Sequence, residues 1–261
     1  MTSTANSSTS IMLFVTLTTI YAFFKYNTSN TLQSVETNMY FYIYLLTVLL
    51  VEYFVNLNLT TSICGSSQWT TALFVTILPW GIIFGILTLL LTMFPGWLSP
   101  FSNTFGYAVA LMAGLNDIFA DIIEPNPKGV KLKPDESILQ QALAHIYSDK
   151  SLLINEITVD NFDYFWDSMK GVFKQSAYEN DTLKNNLYSM VVLKNTVSMY
   201  IWYILTGILI TSISYNYIIN SGCKASAAEM QERYVQYEQE LAEAQQQSST
   251  APAKRVYTTT E

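Results

Sequence analysis

Apolar residues in this chain run in long blocks broken by short polar stretches, the pattern of a chain that crosses a bilayer repeatedly. The longest block, Trp69 to Phe94, holds no charged residue and includes Ile82-Ile83-Phe84-Gly85-Ile86-Leu87. A helix needs about 20 such residues to cross the roughly 30 Å hydrocarbon core, so this block predicts a span with some tilt. Three further spans follow from the same reasoning. Met39–Val55 is a short one, with Glu52 three residues before its predicted end. Val197–Ile219 is uncharged, with Trp202, Tyr203, Tyr215 and Tyr217 toward its ends, where amphipathic rings favour the headgroup region. Ser10–Tyr26 is rich in Thr, whose hydroxyls return hydrogen bonds to the helix backbone and so tolerate membrane burial. No Lys or Arg precedes Lys25 and no small-residue cleavage site follows, so this first block reads as a retained helix.

After the third block the pattern changes. Phe94-Pro95-Gly96-Trp97-Leu98-Ser99-Pro100-Phe101 mixes turn formers with aromatic residues, and Phe105 to Leu115 is apolar but rich in small residues. Asp117 and Asp121 end the run. Residues 95–120 are expected to form an interfacial, re-entrant or short transmembrane helix, the interfacial reading being preferred. Phe94, Trp97, Phe101 and Phe105 would set its depth, and Gly106 and Gly114 would permit close helix approach. Four spans place the following polar unit and the tail on opposite sides of the membrane; a fifth places them on the same side. Basic residues do not decide, because the short loops offer only Lys25.

The polar unit, 121–196, predicts a small helical membrane-proximal domain. Its first helix begins near Pro134, with Ile138, Leu139, Ala142, Leu143 and Ile146 on one face. Asp160 is expected to cap a second carrying Phe162, Phe165, Trp166, Met169 and Phe173. Asp181 would cap a third, with Leu183, Leu187 and Met190, that runs on into the last span. The tail, 220–261, carries Met230, Tyr234, Tyr237, Leu241 and Ala244 at coiled-coil spacing, a face for docking a partner or else a solvated helix. Its end, rich in Ser, Thr, Pro and Ala, predicts disorder, as do residues 1–9 a flexible start. The fold class is therefore all-α: a polytopic helical membrane protein, with three spans over 10–94 and a fourth over 197–219.

Composition sharpens this. Only 13% of residues are charged, against about 25% in soluble domains, and half are hydrophobic. A net charge of −7 argues against a direct nucleic-acid binder. Catalytic chemistry is sparse. His145 is the sole histidine, Cys64 and Cys223 form no Cys-x-x-Cys pair, and Asp160, Asp163 and Asp167 depart from the calcium-loop pattern. No enzyme, cofactor or metal site is expected. Sequons at Asn6, Asn27, Asn58 and Asn180 cannot all face one compartment and read as chance matches. Glu52 is the one acidic residue inside a predicted span. It reads as a residue reaching the interface or pairing with Lys25, with an ion path as the rival role. Pro79, with Gly81 and Gly85, would kink the third span.

The run Phe94-Pro95-Gly96-Trp97-Leu98-Ser99-Pro100-Phe101-Ser102-Asn103-Thr104-Phe105-Gly106-Tyr107 resembles a segment of internal-membrane, membrane-anchored minor capsid proteins from large icosahedral double-stranded DNA viruses. The resemblance covers well under half the chain. It implies a structural role in the lipid layer beneath a capsid, with the bilayer, minor capsid or other membrane-associated proteins, and further copies of itself as partners. It implies no catalytic residue.

Overall fold

The computed structural model describes residues 7–32, 39–123 and 151–220, together with 231, 232, 235, 236, 238 and 239. The described residues are almost entirely helical. α1 (Ser7–Ser29) and α2 (Met39–Cys64) are uninterrupted. The third span is composite: α3 (Trp69–Thr76), a π-helical stretch (Ile77–Phe84) and α4 (Gly85–Met93). Pro79 lies in the π stretch, where its missing N–H removes a donor from the regular ladder. The last span is part of one 40-residue helix, Asp181–Asn220. Among the described residues, four helices are long and apolar enough to cross a membrane. The chain is a multi-pass helical membrane protein.

Two helices run longer than the sequence expectation. α2 runs nine residues beyond Val55 to Cys64, because Asn56, Asn58, Thr60 and Thr61 do not stop it. Asn56 donates through Nδ2 to Thr76 at 2.9 Å, and Thr60 and Thr61 hydroxyls donate to the Leu57 carbonyl. Polar side chains that satisfy themselves inside the bundle do not end a span. α1 likewise extends beyond Ser10–Tyr26 at both ends.

Beyond Phe94 the chain forms a 3₁₀ turn (Pro95–Leu98), α5 (Ser99–Phe101), a π turn (Ser102–Gly106) and α6 (Tyr107–Met112). It then bends by 81° into α7 (Leu115–Ile122). Gly114 makes the bend with φ +100°, a conformation that an L side chain strains against. Gly114 is thus a hinge and not a helix-packing glycine; Gly106 alone of the expected pair serves close approach, as described below.

The membrane-proximal domain adds α8 (Ser151–Glu156), α9 (Phe162–Ser168) and α10 (Gln175–Tyr178). Neither expected aspartate cap is used. α9 begins after Asn161, whose Oδ1 accepts from the Thr158 amide, and Asp160 contributes no cap. It stops at Ser168, so Phe173 lies outside it, in an isolated bridge with Ile123. The Lys174 amide donates to the Ile122 carbonyl and Lys174 Nζ to the Ala120 carbonyl, tying down the end of α7. The helix expected near Pro134 lies outside the described residues.

α11 (Asp181–Asn220) completes the fold. Asn180, not Asp181, caps it: Asn180 Oδ1 accepts from the Thr182 and Leu183 amides at 2.9 and 3.3 Å. Asn180→Ala should cost about 1 kcal/mol, read as a lower unfolding midpoint and faster hydrogen exchange at Thr182 and Leu183. At 1.5 Å per residue α11 is about 60 Å long, twice the hydrocarbon thickness. Its first half closes the domain core: Leu187, Tyr188, Val191 and Val192 pack with Phe119, Ile154, Phe162 and Trp166. Its second half closes the bundle: Tyr203 and Ile210 pack with Phe14, Tyr44, Trp80 and Phe84. Tyr26 and Leu32 pack against the domain core, so the domain sits at the end of the bundle where α1 leads toward α2. At the opposite end, by the α2–α3 turn, Ile218 packs with Leu59 and Val75.

Candidate functional site

A bilayer gives no hydrophobic drive between helices, so packing and interhelical hydrogen bonds hold a bundle together. Here the polar contacts form a ladder along its inside. The Thr18 and Tyr44 hydroxyls meet at 2.9 Å, Ser10 Oγ donates to Glu52 Oε2, Asn56 donates to Thr76, and Ser214 Oγ donates to the Val75 carbonyl at 3.1 Å. The aromatic layer beside it stacks Tyr21 on Tyr44 at 4.4 Å, with Tyr203 within 6.2 Å of both.

Glu52 is the centre of this ladder. The longer α2 moves it from three residues before a helix end to the middle of a 26-residue helix. It is 1% exposed. Its partner is Ser10, not Lys25, which lies 15 residues further along α1, about 22 Å away at helical rise. Glu52 Oε1 has no hydrogen-bond partner. Removing an ion from water into a medium of low dielectric has an idealised cost of order 20 kcal/mol, and one hydroxyl donor returns about 1.5–3 kcal/mol of that. The sequence signalled the acid but hid its depth, because Asn56 and Asn58 mimic a span end.

A second bare oxygen lies at the same level. Phe14 of α1 packs onto Gly207 of α11 and the Thr19 and Tyr200 hydroxyls meet at 3.1 Å, so the two helices run in opposite directions. One turn further along both, toward the α2–α3 end, are Ser10 and Thr211. Thr211 is buried and its Oγ1 has no partner. Trp80, on the π stretch, is fully buried and its Nε1 is also bare.

Phe94, Trp97 and Phe105 are exposed on the protein surface, as lipid- or interface-facing rings would be, while Phe101 packs edge-on against Trp202 at 6.1 Å. Trp97 also meets Trp202, Gly106 meets Lys194, and Ala110 joins Leu187 and Val191. Residues 95–112 therefore lie along the Leu187–Trp202 half of α11 and not beside its Ile204–Asn220 half.

Other residues singled out in the sequence stay apart from this site. Asp163 pairs with Lys184 at 2.7 Å, and Asp167 accepts from the Tyr178 hydroxyl at 3.1 Å, which raises that phenol above its ordinary value. Asp160, Asp163 and Asp167 are exposed, and among the described residues no group of His, Cys, Asp or Glu could hold a metal ion. Cys64 is disulfide-bonded; the other cysteine of the chain, Cys223, lies outside the described residues. So do His145 and the docking face Met230, Tyr234, Tyr237, Leu241. Of the sequons, Asn58 lies within α2 beside buried Leu59 and Thr60, and Asn180 is occupied as a cap.

Comparison with protein-family models, with curated proteins and with solved structures finds no match.

Proposed function

We propose that this protein is a structural membrane protein, a scaffold or anchor that holds a helical domain at a fixed place on a bilayer. The observation that carries the reading is α11, which belongs to both cores: Leu187–Val192 close the domain and Tyr203–Ile218 close the bundle. A helix without a break between them couples the two mechanically. Phe94, Trp97 and Phe105 set the depth of the 95–112 hook in the headgroup region. Four spans then leave the domain and the tail on opposite sides of the membrane. In keeping with the resemblance of Phe94–Tyr107, the proposed setting is the internal membrane of a viral particle, with minor capsid proteins as partners and repeated weak contacts acting together.

Residue-level crosslinking of the protein in its native membrane or particle tests this. Dense links from 121–196 and the tail to capsid-like proteins are expected, and deletion of Ala225–Glu261 should lower that association. Links confined to copies of the chain, centred on Glu52 and Pro79, would sink the scaffold reading. The central position of Glu52 favours a second reading, a small ion-conducting or transport subunit. That one requires a flux in liposomes that disappears in Glu52→Gln.

A further inference from the structure

Among the described residues, Glu52 has no countercharge inside the bundle. α1 offers only Lys25, about 22 Å from Ser10, with Tyr21 and Tyr26 on the same distant half. α3, the π stretch and α4 carry no titratable residue. The half of α11 in the bundle carries only tyrosines, Tyr200, Tyr203, Tyr215 and Tyr217. On α2 itself the other titratable groups are Tyr40, Tyr42, Tyr44, Tyr53 and the disulfide-bonded Cys64. Among the described residues, no cation on a neighbouring helix is placed to neutralise a carboxylate at this level.

We propose that Glu52, with Ser10 and Thr211, forms an intramembrane proton-binding site, in which the bound proton keeps α1 latched to α2 and α11. The case rests on geometry: a carboxyl 1% exposed at the middle of α2, one oxygen held by Ser10 and the other bare, and a second bare oxygen, Thr211 Oγ1, one turn along α11 from the Phe14–Gly207 contact as Ser10 is one turn along α1. A buried charge without a partner is far costlier than a buried hydroxyl, so a proton on Glu52 is what makes this packing tolerable. When base removes it, the proton passes to bulk water and an uncompensated carboxylate remains between the helices. The latch is therefore closed with the proton bound and opens on the alkaline side. The site goes beyond the scaffold reading and does not depend on it.

Infrared spectroscopy of the reconstituted full-length protein reads the proton directly. The expected result is a protonated-acid carbonyl stretch present in the wild type at neutral pH and lost in Glu52→Gln. Ser10→Ala should shift that band by removing its hydrogen bond without abolishing it, which keeps the test decisive if Glu52→Gln fails to fold. A carboxylate stretch at neutral pH that vanishes in Glu52→Gln, or a Ser10→Ala spectrum identical to wild type, overturns the proposal. So does a rise in thermal midpoint on adding sodium or potassium chloride that is absent in Glu52→Gln, because the site would then hold a metal cation.

Discussion

Gly207→Val should separate α1 from α11 and lower the stability of the bundle by about 3 kcal/mol, the upper end of ordinary overpacking. A Cβ on Gly207 would stand 2.0 Å from Phe14 Cε1 and 2.2 Å from Cζ, well inside carbon–carbon contact. A flexible side chain would turn aside, but Phe14 cannot. It is fully buried, with its ring centroid 4.9 Å from Trp80 and 6.3 Å from Phe84, both themselves fully buried. The missing Cβ is therefore the hole into which α1 fits, the small-residue contact by which helices associate in lipid. Gly85→Ala is the control: no atom lies within 4 Å of its added Cβ, and alanine should stabilise the helix by up to about 1 kcal/mol. Unfolding in mixed micelles measures both. Phe14→Leu combined with Gly207→Val should recover part of the loss, a coupling of about 1–2 kcal/mol. If Gly207→Val melts with Gly85→Ala, the Phe14 contact is not what holds α1.

This contact was invisible in the sequence, and the reason is physical. Gly207 lies in the uncharged, largely apolar run Ile201–Ile210, where nothing distinguishes a glycine that receives a ring from one facing lipid, such as Gly85. Spans were legible because block length and hydrophobicity alone report them. Their ends were less so: Asn56 and Asn58 suggested a stop, yet a polar side chain with a partner across the bundle is at home in a span. That misreading placed Glu52 near an interface and next to Lys25. Correcting the helix end moved the acid to the middle of α2 and exchanged its partner for Ser10. Caps failed for a similar reason. Asn180 and Asp181 are adjacent candidates, and only the path of the backbone determines which carbonyl oxygen meets the Thr182 and Leu183 amides. The continuity of the third domain helix with the last span was readable, since Leu183, Leu187 and Met190 keep helical spacing up to the apolar run and no Gly or Pro intervenes.

Gly106→Ala should release the 95–112 hook from α11, at about 3 kcal/mol before the roughly 1 kcal/mol returned by alanine's helix propensity. The added Cβ would stand 2.5 Å from the Lys194 carbonyl oxygen and 2.8 Å from Lys194 Cγ. Backbone cannot rotate out of the way, and this backbone is pinned from the far side. Lys194 is 3% exposed, and its ammonium donates to the Ile154 carbonyl in α8. A shift of α11 large enough to admit the methyl would pull that ammonium from its acceptor and leave a buried charge without a partner, a loss of about 3–5 kcal/mol. Moving the hook is the lesser loss. Hydrogen exchange should therefore rise through 99–122 while the amides of α1 and α2 keep their protection. Gly114→Ala, strained by its φ of +100° but with only Asp117 near its Cβ at 3.9 Å, should loosen the bend into α7 and leave Ser102–Gly106 protected. Equal exchange in both variants would mean that the hook is held by lipid and not by α11. Loss confined to Gly106→Ala means that one missing methyl lets the hook, α11 and the buried Lys194 lock together.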